Sequence, residues 1–234
     1  MRRVQVAAGA CALLALYSAA TVSAGELRGR LLVPARGAHA APLNAYPGQL
    51  SAEHGAEGGV AHGAKSGITA GDAVVSLAPA SGAPAAARRA GGAVGRRAAL
   101  RQTRQMFEPR VLPILVGSVV DFPNDDAFYH NVFSYSSAKR FDLGRYGKGK
   151  SGSQTFDRPG LVKVFCDIHS DMAAFIVVLE TPHFTAPADD GAYAVAGVPA
   201  GQYAVTVWHP DLPEWHGSVT IPADGAVTLD VDLR

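Results

Sequence analysis

Two segments of the chain carry residue types that bind metal ions. Residues 166–172 read Cys-Asp-Ile-His-Ser-Asp-Met, so a thiol, an imidazole and a thioether follow one another as C-x2-H-x2-M. A second imidazole, that of His130, ends the segment Asn-Asp-Asp-Ala-Phe-Tyr-His at 124–130. One thiolate, two imidazoles and a weakly bound thioether form the ligand set of blue-copper electron-transfer sites. The sequence therefore predicts one type 1 copper ion bound by His130, Cys166, His169 and Met172.

The residue types in these segments suit an ion that gains and loses one electron. Sulfur ligands favour Cu(I), whereas imidazoles bind both oxidation states of copper.

Three other interpretations stay open. A single cysteine or methionine is often just a core residue, and zinc binds cysteine and histidine, although zinc sites do not use methionine. A nucleophilic Cys166–His169 pair is the third alternative, in which Met172 would have no evident role.

The N-terminal residues predict export and leave one cysteine in the mature protein. Residues 1–24 carry two arginines, then an apolar run, and end in Val-Ser-Ala, which is the pattern of a signal peptide cleaved after Ala24. Cys11 would leave with that peptide, so Cys166 would have no partner for an internal disulfide. We expect a periplasmic or otherwise exported protein. The apolar run is short for a bilayer span, and we expect no membrane span in the mature protein.

The elements that must position the candidate ligands are predicted to be strands. Short runs rich in β-branched and aromatic residues recur between Gly, Pro and Asp, and no segment forms a convincing amphipathic helix. The predicted strands are 26–33, 73–77, a pair at 111–122 turned at Gly117, 161–166, 174–179, 193–195, 203–208 and 226–233. Cys166 would end a strand and share its inward face with Val164 and Val162. The predicted fold class is all-β, as one or two sandwiches.

Residues 107–180 resemble a cupredoxin. The C-x2-H-x2-M loop is most similar to that of amicyanin, and the segment from Asn124 to His130 resembles the N-x5-H pattern of the family. Phe-Glu-Pro-Arg-Val-Leu-Pro at 107–113 resembles the family's opening strands. Tyr129 departs from the pattern, because amicyanin has a proline before the first histidine ligand.

The cupredoxin resemblance implies a Greek-key β-sandwich with copper at one end. It implies that electrons leave through His169, the histidine of the C-terminal loop. It also implies that the side chain of Asn124 ties the first-histidine loop to the backbone near Cys166, which agrees with the general role of outer hydrogen bonds in orienting metal ligands.

The two ends of the chain resemble halves of one further module. Residues 189–208, with a DG turn and a V-P-A-G-x-Y turn, resemble the second half of a carboxypeptidase-regulatory-like, or prealbumin-like, β-sandwich. Strands at 29–33 and 73–77 match its first half. We therefore predict that 25–80, including a flexible loop, pairs with 186–234 and that a cupredoxin domain at 106–182 is inserted between them. The alternative is a C-terminal sandwich fragment packed directly on the cupredoxin. Either would serve as a scaffold.

Residues 81–105 differ in composition from the rest of the chain. They contain six arginines and no acidic residue, together with many alanines and glycines. Such a segment cannot bury much apolar surface, so we expect a flexible basic linker. The alternative is a basic strip that docks an acidic partner.

The expected function is that of a periplasmic electron carrier whose copper cycles between Cu(I) and Cu(II). Its partner would be a redox protein such as a c-type cytochrome or a periplasmic dehydrogenase. A copper-binding or storage protein without a dedicated electron-transfer role is the alternative, and a structural module that does not use its metal site is a third. A net charge of +1 gives no sign of a nucleic-acid partner. The chain carries no enzyme motif, so we do not expect an enzyme.

Overall fold

The computed structural model describes residues 24–34, 67–80 and 96–234 of the chain. Regular structure in these residues consists of strands and one short 3-10 turn at Ala70–Asp72, which confirms the all-β prediction. Most of the predicted signal peptide and of the loop between the first two predicted strands lies outside the described residues. No helix in the described part of the chain is long and apolar enough to cross a membrane.

The strands are numbered in chain order. The first seven are β1 Ala24–Leu32, β2 Val74–Pro79, β3 Arg97–Ala99, β4 Arg101–Thr103, β5 Met106–Glu108, β6 Val111–Leu115 and β7 Ser118–Pro123. The next five are β8 His130–Tyr135, β9 Arg140–Tyr146, β10 Ser151–Phe156, β11 Gly160–Phe165 and β12 Ala173–Leu179. The last six are β13 Phe184–Thr185, β14 Ala192–Pro199, β15 Gly201–His209, β16 Leu212–Ile221, β17 Ala226–Thr228 and β18 Val231–Asp232.

Residues 96–180 form two sheets and a hairpin that we call the central sandwich. One sheet has the strand order β6-β12-β11-β8-β9, the other has the order β10-β7-β3, and β4 pairs with β5. Because successive residues of a strand point to opposite faces, every second side chain enters the core. Val162, Val164 and Cys166 all lie in this core, as the alternation along β11 predicts.

Strands from both ends of the described chain form a second pair of sheets, the flanking sandwich. β1 pairs with β14 in the antiparallel sense and with β17 and β18 in the parallel sense. The other sheet has the order β13-β2-β15-β16. Leu27, Leu77 and Val205 are among the fully buried residues of its core. Its likeness to a carboxypeptidase-regulatory-like module stays a prediction, as do the domain boundaries.

The two sandwiches meet at a small apolar cluster. Val74 of β2 is buried together with Val111 and Phe175 of the central sandwich. Trp208 of β15 packs against them, with its ring centroid 5.5 Å from that of Phe175 in an edge-on arrangement. Aromatic pairs of this geometry stabilise a contact beyond the area that they bury.

An ion network lies beside that cluster. The guanidinium of Arg110, in the central sandwich, contacts the carboxylates of Asp72 and Asp211, in the flanking sandwich, at 3.0 and 2.9 Å. Burial by itself would lower the pKa of Arg110, but hydrogen bonds and charges from Asp211 and Asp72 raise it above its ordinary value. Arg110 therefore stays charged, and its contacts with Asp72 and Asp211 join the two sandwiches.

Residues 96–105 contain two strands, β3 and β4, where the sequence predicts a flexible linker. β3 pairs with β7 and β4 pairs with β5, and Leu100 between them is fully buried. The arginines of this segment find their acidic partners elsewhere in the central sandwich: Arg97 pairs with Asp121 and Arg101 with Asp125. Composition alone was misleading because the compensating charges lie 24 residues further along the chain. Residues 81–95 of the predicted linker lie outside the described residues.

Residues 111–122 also differ from the prediction in their pairing. The sequence predicts a strand pair turned at Gly117, and the structure has strands on both sides of that turn, β6 and β7. However, β6 pairs with β12, whereas β7 pairs with β10 and β3. The turn therefore crosses from one sheet to the other, and the φ of Gly117 is +86°, in the region that favours glycine.

The buried residue His183 should make the free energy of unfolding depend on pH. His183 is 6% exposed, its Nε2 has no hydrogen-bond partner in the part of the chain that the structure describes, and burial lowers its pKa. As the pH falls below about 6.5, the ordinary pKa of histidine, the unfolded chain binds this proton before the folded protein does. We therefore expect the free energy of unfolding, measured with urea, to fall between pH 7.5 and 5.5.

A His183→Phe variant should show a weaker fall, because one histidine that is buried in its neutral form is gone. The exposed His216, changed to Phe in the same way, is the matched control for the loss of a histidine. The buried His209, whose pKa burial also lowers, keeps part of the pH dependence in both variants. A pH dependence that His183→Phe leaves as steep as in the wild type would contradict the prediction.

Candidate metal centre

Three donor atoms converge at one end of the central sandwich. The Sγ of Cys166 lies 3.9 Å from the Nδ1 of His130 and 3.8 Å from the Nδ1 of His169. The two Nδ1 atoms are 3.1 Å apart. Among the described residues, this is the one group of three histidine, cysteine or acidic side chains whose ligand atoms all lie within 4.8 Å of one another. The arrangement can hold a metal ion between one sulfur and two nitrogens.

The loop between β11 and β12 positions two of these donors and the predicted thioether. Cys166 directly follows β11, and Met172 directly precedes β12. The N–H of Cys166 donates to the carbonyl of Met172 at 3.2 Å, and the N–H of Met172 donates to the carbonyl of His169 at 3.1 Å. These bonds fold the loop back on itself. Met172 is fully buried in the same core cluster as Cys166.

The other histidine donor begins β8. His130 is fully buried, and the segment before it contains Asn124, which is also fully buried. The side-chain amide of Asn124 donates to the carbonyls of Phe128, at 2.8 Å, and Tyr146, at 2.9 Å. Its Oδ1 accepts the N–H of Asp126 at 2.9 Å. Asn124 therefore shapes the loop that leads to the histidine.

These contacts correct one implication of the cupredoxin resemblance. Asn124 was expected to join the first-histidine loop to the backbone near Cys166. Both amide hydrogens are instead used elsewhere, one within the loop and one on β9. The physical reason is that β9 runs beside β8 and presents the carbonyl of Tyr146 to the loop, since His130 and Tyr146 are paired residues.

One contact of His130 was not anticipated from the sequence. Its Nε2 lies 2.9 Å from the Oδ2 of Asp126, four residues earlier. Burial alone would raise the pKa of Asp126, but hydrogen bonds from the Gln105 amide, from His130 and from the Arg104 amide together lower it. The lowered pKa favours the charged carboxylate, which can accept a hydrogen bond from the ring. The sequence held only a weak signal, an acidic residue four positions before a histidine.

The third donor is the one nearest to solvent. His169 is partly exposed, and its pKa is lowered, first by burial and then by the charge of His130. A lowered pKa favours the neutral imidazole, which is the form that binds metal ions. The donor set offers one soft sulfur and two imidazoles, a combination that suits copper and zinc. The thioether of Met172 is a ligand type of copper rather than of zinc.

Exposed apolar side chains directly precede both histidine ligands in the chain. Phe128 and Tyr129, just before His130, are each more than half exposed, and Ile168, just before His169, is 40% exposed. Large apolar residues are exposed at few other described positions. We call these three residues the apolar rim. Such a patch beside a site is typical of a surface that contacts another molecule.

The histidines of the flanking sandwich do not contribute to a second centre. His209 is buried, its Nε2 lies 3.1 Å from the carbonyl of Thr69, and its Nδ1 accepts the N–H of Asp211 at 3.1 Å. His183 is buried and its Nε2 has no hydrogen-bond partner in the described residues, and His216 is largely exposed beside Thr206. None of them has a described cysteine, histidine or acidic neighbour that completes a group of three.

Three solved structures show what the chain is similar to. A copper-containing nitrite reductase (NirK) from Thermus scotoductus SA-01 is 28% identical, with a TM-score of 0.34, and the match covers 36% of this chain but 22% of that one. A purple cupredoxin from Nitrosopumilus maritimus is 23% identical, with a TM-score of 0.32 and coverage of 35% and 99%. Amicyanin from Paracoccus versutus (Thiobacillus versutus) is 19% identical, with a TM-score of 0.34 and coverage of 44% and 91%.

Two further comparisons of the chain, with protein-family models and with curated proteins, found no match. The chain spans about a fifth of the nitrite reductase. TM-scores as low as those above carry no argument about function. Support for a function therefore comes from the residues of the site.

Proposed function

We propose that the central sandwich is a cupredoxin domain that binds one type 1 copper ion and transfers single electrons. The observation that carries this proposal is the convergence of His130, Cys166 and His169 on one point. Their ligand atoms all lie within 4.8 Å of one another. Met172 also supports the proposal, because its side chain is buried in the same core cluster as Cys166 and its carbonyl accepts a hydrogen bond from the N–H of Cys166.

Each residue of the centre has a distinct task in this proposal. Copper, when bound, supplies a one-electron couple between Cu(II) and Cu(I). Cys166 provides the thiolate, His130 and His169 provide neutral imidazoles, and Met172 provides a weak fourth ligand. Burial of His130 and Cys166 keeps water away from the donors. Backbone hydrogen bonds within the loop from Cys166 to Met172 keep the donor atoms in place. They therefore limit the rearrangement of the ligands when the electron arrives or leaves.

The apolar rim supports transfer to a partner rather than storage. Electrons would enter and leave through His169, the ligand nearest to solvent, and Phe128, Tyr129 and Ile168 would contact the partner around it. A storage protein has no need of an exposed apolar surface beside its metal. We propose a redox protein as the partner, either a c-type cytochrome or a dehydrogenase of the periplasm, and we propose that the exported protein is not itself an enzyme.

Visible absorption tests the copper site directly. Purified protein should give an intense band when one equivalent of Cu(II) is added, because a thiolate bound to Cu(II) absorbs strongly in the visible. Ascorbate should remove the band. Zn(II), which has a filled d shell and no redox chemistry, is the control and should give none. A protein that binds Cu(II) without an intense visible band would contradict the type 1 assignment.

Electron exchange separates a carrier from a storage protein. The reduced, copper-loaded protein should reduce an oxidised c-type cytochrome within seconds in a stopped-flow mixer. A Tyr129→Ser variant should slow that exchange and leave the band as it is, because Tyr129 lies on the rim and its side chain packs on Gly147 rather than on a ligand. Exchange with several cytochromes that is no faster than with a small chemical oxidant would favour storage.

A further inference from the structure

The two nitrogens of the His130 ring face different groups. Nδ1 faces Cys166 and His169, whereas Nε2 lies 2.9 Å from the carboxylate of Asp126. A charged carboxylate only accepts hydrogen bonds, so a neutral ring in this position carries its hydrogen on Nε2. Nδ1 is then left with a lone pair directed into the donor cluster. The contact thus selects the tautomer that a metal ion requires.

Asp126 is itself held by the turn between β4 and β5. The N–H of Arg104 donates to Oδ1 at 2.6 Å, and the N–H of Gln105 donates to Oδ2 at 2.8 Å. Arg104 and Gln105 have φ angles of 54° and 57°, in a region that residues other than glycine seldom adopt. This backbone points two consecutive amides at one carboxylate. The Asp126 side chain is 12% exposed, so little water competes with these bonds.

The backbone of the same segment is fixed from two sides. The N–H of Asp126 donates to Asn124, and the N–H of Asp125 donates to the carbonyl of Gln102 on β4 at 2.9 Å. β4 and the turn at Arg104 and Gln105, which the sequence places in a linker, therefore contact the segment that leads to the ligand. Neither the hairpin nor Asp126 belongs to the donor group.

We propose that Asp126, held by the turn at Arg104 and Gln105, is a positioning residue that fixes the tautomer and orientation of His130 and lowers the reduction potential of the centre. This inference rests on the proposed copper function. A carboxylate that accepts the Nε2–H makes the imidazole a more basic donor. A more basic donor stabilises Cu(II) more than Cu(I), because Cu(II) carries the larger charge. The potential of the couple therefore falls.

The reduction potential of an Asp126→Asn variant tests the proposal. Asp125→Asn is the matched control: it removes the same charge one residue away, but Asp125 is 44% exposed and pairs with Arg101 rather than with a ligand. We expect Asp126→Asn to weaken Cu(II) binding, relative to Cu(I) binding, about ten-fold more than Asp125→Asn does. For one electron, that ratio equals a potential about 59 mV higher. Equal potentials in the two variants would overturn the proposal.

A measurement on the unaltered protein covers the case in which Asp126→Asn does not fold. Long-range proton–nitrogen correlation spectra of the metal-free protein report which ring nitrogen of His130 carries the hydrogen. We expect hydrogen on Nε2, and hydrogen on Nδ1 alone would overturn the proposal. This result does not depend on copper. If the wild-type protein gives no visible band with Cu(II), the proposed copper function is contradicted. The tautomer of His130 in the metal-free protein then still tests whether Asp126 positions that ring.

Discussion

A Cys166→Ser variant mixed with Cu(II) should lose the intense visible band completely. The band arises from charge transfer between a thiolate and Cu(II), and a serine hydroxyl stays protonated and is a hard, weak ligand for this ion. Cys166 is the one free cysteine that the structure describes, and it lies against both histidine donors. Cu(II) affinity, measured by competition with a chelator, should fall by at least ten-fold at pH 7.

The control for Cys166→Ser is a histidine that lies outside the centre. His216→Ala removes an exposed imidazole of the flanking sandwich and should leave the band at full intensity. Circular dichroism of both variants should show unchanged strand content, because serine is close to cysteine in size. A band that survives in folded Cys166→Ser protein would mean that another group binds the copper, and the ligand assignment would be wrong.

An Arg110→Met variant should lose about 3–5 kcal/mol of unfolding free energy, because it leaves two buried carboxylates without their cation. The side chains of Asp211 and Asp72 are 2% and 10% exposed, so water replaces little of the lost charge. Methionine keeps much of the apolar stem, but it also removes the guanidinium, whose Cζ lies 6.0 Å from the ring centroid of Phe175. The loss is measured by urea unfolding, monitored by tryptophan fluorescence, since Trp208 lies at this junction.

Two further variants identify the cause of that loss. Arg97→Met removes the cation of an exposed pair with Asp121 and should cost only about 0.2–1 kcal/mol. Combining Arg110→Met with Asp72→Asn and Asp211→Asn removes the unpaired charges and should restore much of the stability. If Arg110→Met and Arg97→Met cost the same, the network is not a buried ionic junction.

The all-β class and the strongly alternating strands could be predicted from the sequence. Predicted and observed bounds differ by at most one residue at β11 and β12, where apolar residues dominate. β8, β9 and β10 were missed. β9 contains two arginines, an aspartate and a glycine among its seven residues, and Phe141, Leu143 and Tyr146 pack against the core. β16 was missed because Pro213 and Gly217 interrupt its pattern. Such strands owe their place to neighbouring strands rather than to their own composition.

The candidate ligands were predicted from spacing, but their supporting contacts were not. Cysteine, histidine and methionine within seven residues are visible in any sequence. The bond between Asp126 and His130 depends on a turn whose two residues, Arg104 and Gln105, carry no glycine or asparagine signal for positive φ. Which carbonyls receive the amide of Asn124 depends on the register of β9 against β8. Long-range pairing of this kind is set by tertiary structure.

The strand order of the flanking sandwich constrains the sequence of folding events. β1 needs β17 and β18, and the N–H of Arg30 donates to a side chain 200 residues later, so this sandwich can form only after the chain has been synthesised as far as β18. The central sandwich has all its strands earlier. Once the central sandwich folds, the N–H of Val119 donates to the carbonyl of Arg96, and the N–H of Val116 donates to the carbonyl of Leu179. Because Val116 and Val119 flank the turn at Gly117, these hydrogen bonds bring the two ends of the central sandwich together. The remaining loop is then effectively short, and closing it costs less chain entropy.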